Sequence, residues 1–176
     1  QGGGGVSVID ELITDRTQAD VDTLTELLGK PFAQWTAEET AWFREASSKG
    51  AYNYTDLNRV TEAMQYLDDV FLAYGYTTGY VSILVHPGET ERLYTWCESD
   101  IPTAAHMELY IANIAALRGS ITVLPTTPST PESMEFLDYI KANNIEKILV
   151  DINQLLINMA AAWFYSGEVY SGEVDA

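Results

Sequence analysis

The sequence predicts a mainly α-helical protein, a small bundle of about five helices. Apolar residues recur at alternating spacings of three and four over residues 57–74 and again over 145–159, which is the period of a helix face packed on a core. Residues typical of helix starts and helix ends flank further segments of the sequence. With 176 residues, the chain is long enough for one domain, or two small ones, with a real core. We predict helices over residues 18–28, 37–47, 56–74, 103–118 and 143–163.

The first two helices are predicted from their ends. Thr17 is a suitable N-cap for the first helix, Gly29 fits the position after its last turn, and Pro31 prevents its continuation. Thr36 and Glu39 have the spacing of a capping box, in which each side chain bonds the backbone N–H of the other. The second helix therefore begins directly after Thr36.

The third and last helices have similar openings. Asn53 or Thr55 caps the third helix, and both it and the last helix carry a tyrosine followed four residues later by an asparagine, at Asn58 and Asn143. The two segments are 85 residues apart. They are either copies of a duplicated unit or two amphipathic helices that converged on one pattern, and both interpretations stay open. We interpret Asn58 and Asn143 as residues that position the helix starts.

The segment before the fourth helix has a different character. Residues 80–85 are β-prone and Pro87-Gly88 is a turn signal, so residues 80–96 are predicted to form a short β-hairpin or an extended arm. A stiff linker rich in proline and threonine follows the fourth helix at residues 124–131.

These elements divide the chain into five parts. A glycine-rich linker or arm precedes an N-terminal helical unit, then the hairpin or arm, a C-terminal helical unit and a tail. Their predicted bounds are residues 1–12, 13–76, 77–102, 103–164 and 165–176. The leading glycines are typical of a flexible linker, a tag remnant or a cut from a longer protein. The tail is assigned because its sequence repeats after five residues, and a period of five does not keep equivalent side chains on one face of a strand.

Composition excludes several classes of partner. Twenty-six acidic residues against nine basic ones give a net charge of −17, which repels phosphate backbones and anionic lipid. We therefore expect no nucleic acid partner. No run of 18 apolar residues occurs, so we also expect no membrane insertion. The single cysteine predicts neither an internal disulfide nor a cysteine-based zinc site.

Motifs for chemistry are missing from the sequence. Cys97 is eleven residues after His86 and nine before His106, separations that do not predict a nucleophilic site. No histidine pair at helical spacing, no calcium loop and no phosphate-binding glycine loop is present. We expect no catalytic residue, no cofactor and no metal, and hence a protein that is not an enzyme.

Aromatic residues define the candidate interaction surface. Eleven tyrosines and four tryptophans could pack in the core, form interfaces or stack on sugars. Several of them cluster around the predicted hairpin, which makes this region a candidate for receptor or glycan recognition. The candidate residues are Tyr74, Tyr76, Tyr80, Tyr94 and Trp96.

Several segments, in this order, resemble a family of uncharacterised phage and prophage structural proteins, encoded near tail and baseplate genes of Gram-positive gut bacteria. The segments are ITDRTQADVD at 13–22, KGAYNYTDLNRV at 49–60, DIPT at 100–103 leading to Met107 and Tyr110, ANNIEK at 142–147 and FYSGE at 164–168. The resemblance implies a non-enzymatic component of the distal tail, baseplate or tail fibre, located in the virion and, during assembly, in the bacterial cytoplasm. Other tail or baseplate proteins and further copies of the chain are the implied partners. A receptor- or glycan-binding module using residues 74–96 is the alternative.

Overall fold

The described part of the chain folds into five α-helices, which confirms the predicted mainly helical fold class. The computed structural model describes residues 6–45 and 48–171, and the side chains up to residue 163. A short 3₁₀ turn at Phe32–Gln34 separates the first two helices. The helices are α1 Gln18–Leu28, α2 Ala37–Arg44, α3 Tyr54–Ala73, α4 Ala104–Gly119 and α5 Tyr139–Ser171.

The caps account for the helix starts. Thr17 and Thr36 cap α1 and α2 as predicted, each within a complete capping box. Asn53, rather than Thr55, caps α3. At the start of α5 the Asp138 carboxylate accepts a hydrogen bond from the backbone N–H of Lys141 at 2.7 Å, so this helix begins earlier than predicted.

The helix ends agree less well with the sequence. Helix α2 ends at Arg44, and residues 46 and 47 of its predicted range lie outside the described residues. Helix α5 continues to Ser171, past its predicted end at residue 163. The glycine lead at 1–5 and residues 172–176 of the predicted tail also lie outside the described residues. The division of the chain into five parts stays a prediction.

Helices α3, α4 and α5 pack against one another and contain most of the core. Burying their apolar side chains supplies the main favourable contribution to folding. Among the described residues, no helix combines the length and the apolarity that a membrane crossing requires. The fully buried side chains of the three helices include Met64, Leu67, Phe71, Tyr110, Ile114, Leu117, Ile145, Ile148, Leu149, Ile152 and Leu156.

Helices α3 and α5 bury equivalent positions. Both helices begin at a tyrosine, 85 residues apart, and six apolar positions buried in α3 correspond to six buried in α5 at the same offset. The pairs are Leu57 and Ala142, Val60 and Ile145, Ala63 and Ile148, Met64 and Leu149, Leu67 and Ile152, and Phe71 and Leu156. Such a match suits either a duplicated unit or two helices in equivalent places, so both interpretations remain.

The predicted β-hairpin at residues 80–96 is wrong. None of the described residues is in a β-strand, and the segment between α3 and α4 has no regular secondary structure. The backbone N–H groups of Val85 and His86 both donate to the carbonyl of Leu93, so no ladder of paired bonds develops. Other backbone groups of the segment pair with side chains of the helices instead.

Three asparagines, one on each long helix, make pairings of this kind, two with this segment and one with the segment before α1. In each case the asparagine NH₂ group donates to the backbone carbonyl of one partner residue, and the asparagine side-chain oxygen accepts from the backbone N–H of that partner residue. These distances are 2.8 to 3.0 Å. The pairs are Asn58 with Trp96, Asn113 with Val81 and Asn143 with Arg16. Asn58 and Asn143 therefore hold non-helical segments against the bundle, which corrects their interpretation as helix-start residues.

Candidate functional site

A closed ring of charges is buried where α3, α5 and the segment before α1 meet. Arg16 and Arg59 each contact both Asp56 and Glu146, at 2.5 to 2.9 Å. The second oxygen of Asp56 also accepts the backbone N–H of Asn53 at 2.8 Å. Two positive and two negative side chains thus cancel inside the protein, so none of these charges is buried without a partner.

Burial and the carboxylates act in opposite directions on Arg59. Burial lowers the pKa of this guanidinium, but Glu146 and Asp56 outweigh it and raise the pKa above its usual value. Beside the ring, the hydroxyls of Tyr52 and Tyr110 share a short hydrogen bond. Burial raises the pKa of both tyrosines, and the neighbouring carboxylates raise it further. The ring holds the segment before α1 against α3 and α5, and the tyrosine pair joins Tyr52 to α4.

The sequence prediction missed this centre, although its residues lie in segments that the resemblance singled out. Arg16 belongs to residues 13–22, Asp56 and Arg59 to residues 49–60, and Glu146 to residues 142–147. A charged residue inside an apolar stripe is the signal that could have found it. Glu146 is one residue after Ile145 in the stripe of α5 and is fully buried.

The predicted aromatic surface is not one surface. Trp96 is only 2% exposed and belongs to the core, so it offers almost no surface for stacking on a ligand. Tyr74 lies at the end of α3 and packs edge-on against Trp163, with ring centroids 5.2 Å apart. Tyr76 is exposed, and Tyr80 and Tyr94 share a different site. The structure thus separates residues that the sequence grouped.

Tyr80 and Tyr94 line a groove of about 260 Å³ on the outer face of α3. Polar side chains of α3 form one wall of the groove, among them Asn58, Glu62 and Gln65. Burial raises the pKa of Tyr80, and the charge of Asp68 adds to this effect, so its hydroxyl remains a hydrogen-bond donor at neutral pH. Two aromatic rings beside amide and carboxylate groups can bind a sugar ring.

The loop before α4 brings together His86, Cys97 and Asp100, whose ligand atoms all lie within 4.8 Å of one another. Nε2 of His86 is 2.9 Å from the Asp100 carboxylate, which also accepts the N–H of Cys97 at 2.6 Å. Burial alone would raise the pKa of Asp100, but hydrogen bonds from Cys97 and His86 lower it overall. Sequence separation alone did not predict this cluster, because no regular element relates its members.

A second groove lies between the start of α4 and residues 132–135, with a volume of about 580 Å³. Met107, Ile111 and Met134 supply apolar lining, and three glutamates, at 108, 132 and 135, also line it. Two exposed apolar residues adjoin the lining residues in sequence: Ile101 is 88% exposed and Phe136 is 86% exposed.

Phe136 adopts an unusual backbone conformation. Its φ is +53°, and it is the one non-glycine residue with positive φ among those that the structure describes. A bulky residue in this region is strained, and such strain concentrates at functional positions. Its carbonyl accepts a hydrogen bond from the Lys141 ammonium at 3.3 Å, which ties the strained turn to α5. The turn therefore holds an aromatic ring in solvent beside the apolar groove.

Comparisons of the chain with models of protein families, with curated proteins and with solved structures found no match.

Proposed function

We propose that this chain is a non-enzymatic structural component of a phage or prophage tail that acts by assembling with protein chains. The observation that carries the assembly role is the groove between α4 and residues 132–135, with Ile101 and Phe136 exposed beside it. Exposed apolar surface around a groove is typical of protein–protein contacts. The tail setting, the virion location and the tail or baseplate partners rest on the sequence resemblance.

We further propose that the occupant of this groove is a second copy of the chain. A patch that carries both an apolar groove and protruding apolar side chains is self-complementary, as a two-fold interface requires. Phe136 or Ile101 of one copy would enter the groove of the other. Because three glutamates line the groove and the net charge is −17, two copies repel at low ionic strength. Association should therefore strengthen with salt.

Sedimentation equilibrium at 0.05 M and 0.5 M NaCl tests this assembly. The wild-type chain should form dimers or larger oligomers, more tightly at the higher salt concentration. An Ile101→Ser, Phe136→Ser double variant should weaken association about tenfold or more, since central apolar residues dominate interface energies. Leu28→Ser is the matched control, because Leu28 is also exposed but lies on α1. A chain that stays monomeric at both salt concentrations would contradict the proposal.

The tail setting has its own test. Purified particles from a host that encodes the chain should contain it in several copies, as measured by quantitative mass spectrometry, and antibody labelling should place it at the tail. Its absence from the particles would refute the tail assignment and leave the assembly proposal to the sedimentation test.

The groove at Tyr80 and Tyr94 favours a second candidate function, binding of a glycan. Stacking on the two rings and hydrogen bonds to the α3 side chains would hold a sugar unit. A Tyr94→Ala variant should then lose binding to cell-wall glycans on an array, while Tyr76→Ala should keep it, since Tyr76 does not line the groove. Equal binding by both variants, or none by the wild-type chain, would count against this function.

A further inference from the structure

We infer that His86, Cys97 and Asp100 form a binding site for a zinc-class divalent metal ion that clips the connector between α3 and α4. Imidazole nitrogen, thiolate sulfur and carboxylate oxygen are the ligands that zinc takes from proteins. The ligand atoms of a tetrahedral zinc site lie about 3.5 Å apart, given bonds of about 2.0 to 2.3 Å. The three atoms here lie within 4.8 Å of one another, so small side-chain rotations bring them to that geometry.

The guanidinium of Arg92 already places a positive charge among these atoms. One of its nitrogens lies 2.9 Å from Nε2 of His86, 2.9 Å from the sulfur of Cys97 and 3.8 Å from the carboxylate of Asp100. Three electron-pair donors thus face one cationic nitrogen. A metal ion would take its place, and Arg92, whose side chain is about half exposed, can turn into solvent.

The hydrogen bonds of His86 support a cation at this position. Nε2 is 2.9 Å from both the Arg92 nitrogen and the Asp100 carboxylate. If Nε2 carries a proton, it can donate to Asp100 but cannot accept from Arg92. Without the proton, it can accept from Arg92 but cannot donate to Asp100. One contact is therefore always unsatisfied in the metal-free cluster. A metal ion satisfies Nε2, the sulfur and the carboxylate at once.

The local backbone holds two of the ligands in place before any metal binds. The Cys97 N–H donates to the Asp100 carboxylate at 2.6 Å, and the Asp100 N–H donates to the Cys97 carbonyl at 3.0 Å. Glu89 lies 3.8 Å from Nδ1 of His86, so a carboxylate stands near the ring nitrogen that faces away from the metal position. Three protein ligands leave a fourth position for water.

The connector is the segment that such a clip would stabilise. It joins α3 to α4 without regular secondary structure. Long segments of this kind are unusual in compact domains and gain from cross-links that close them. A metal joining residue 86 to residues 97 and 100 closes its second half, beyond the point at which Asn113 holds Val81.

Titration of the purified, reduced chain with Co²⁺ and then Zn²⁺ tests the site. We expect one equivalent of Co²⁺ to bind with a thiolate-to-cobalt charge-transfer band, and Zn²⁺ to displace it. Zn²⁺ at about a hundred times its Kd should raise the Tm by about 5 °C or more. Hydrogen exchange at residues 86–100 should slow. Absence of stoichiometric binding at micromolar metal would overturn the inference.

Variants separate this site from adventitious binding. Cys97→Ser should abolish the charge-transfer band, and His86→Gln should weaken Zn²⁺ binding tenfold or more. His106→Gln is the matched control and should bind as the wild type does, because His106 lies outside the cluster. Arg92→Ala should bind Zn²⁺ at least threefold more tightly, since the competing cation is gone. Binding that survives both Cys97→Ser and His86→Gln, or that weakens in Arg92→Ala, would contradict the proposed site.

Discussion

The bundle of α3, α4 and α5 and the connector between α3 and α4 are stabilised in different ways. In the bundle, apolar stripes interlock and four charged side chains close into a ring. The connector makes no secondary structure of its own and is held by asparagine side chains, with Ile83 and Trp96 as its buried apolar anchors. Apolar packing sets the helices, while a small number of specific polar pairs sets the path of the chain between them.

The largest effect is expected inside the bundle, at Glu146. Glu146→Gln removes one charge from the ring and leaves Arg16 and Arg59 to share Asp56 alone. Breaking a buried charge network costs about 3–5 kcal/mol, which urea unfolding would measure.

Glu62→Gln is the control for this change, because Glu62 is exposed on α3. It should change the free energy of unfolding by about 0.5 kcal/mol or less. If Glu146→Gln costs no more than its control, the ring contributes no more than a surface ion pair and the contrast between the two regions disappears.

A smaller effect is expected from the tyrosine pair at alkaline pH. Because the folded pKa values of Tyr52 and Tyr110 are raised, the unfolded chain loses these protons first. Their contribution to stability is full below the unfolded pKa of about 10 and falls as pH rises above it, by about 1 kcal/mol per tyrosine between pH 10 and 11. Urea unfolding at these two pH values should show a smaller loss for a Tyr52→Phe, Tyr110→Phe variant. Equal losses would contradict the assignment.

A change in the connector should have a more local effect. Asn113→Ala leaves the N–H and carbonyl of Val81 without their partner, at a cost of about 1–2 kcal/mol. Hydrogen exchange should speed up at residues 80–82 and not in the middle of α5. Asn158→Ala is the control, since Asn158 is exposed on α5 and its side chain bonds Gln154 on the same helix. Uniformly faster exchange in Asn113→Ala would show that connector and bundle unfold as one unit.

The sequence predicted features that depend on near neighbours in the chain. The Thr17 and Thr36 caps and the apolar stripes of α3 and α5 are local, and all were found as expected. The charge ring joins Arg16 to Glu146 across 130 residues, and although Glu146 stands out beside its apolar stripe, no local pattern indicates that Arg16 is its partner. The same holds for Asn113 and Val81. The hairpin prediction failed because backbone N–H groups of this β-prone segment donate to side chains of α3 and α4 instead of to a second strand.

The predicted aromatic site failed in part for a related reason. Sequence proximity grouped Tyr94 with Trp96, but side chains two residues apart can still face solvent and core respectively, and Trp96 is buried. The cluster at His86, Cys97 and Asp100 depends on a loop whose path is set by contacts such as that of Asn58 with Trp96. The sequence separations of the three residues therefore do not predict the geometry of the cluster.

The smallest effect is expected at the surface, for the ion pair between Lys30 and Glu39 near α2. Its atoms are 2.6 Å apart, but both side chains are partly exposed, and solvent screens such pairs so that they contribute little. Lys30→Ala should therefore lower the free energy of unfolding by less than Asn113→Ala does, and by less still in 0.5 M NaCl. A larger loss that persists in salt would show that α1 and α2 contribute substantially to stability, in addition to the bundle of α3, α4 and α5.

Hydrogen exchange of the wild-type chain at low and high protein concentration tests the assembly proposal most directly. In 0.5 M NaCl, concentrating the protein should slow exchange at residues 101–111 and 132–137, around the α4 groove, while exchange at residues 18–28 in α1 stays the same. Protection confined to the groove would support assembly through this surface. Unchanged exchange at the groove, or protection only on α1, would contradict it.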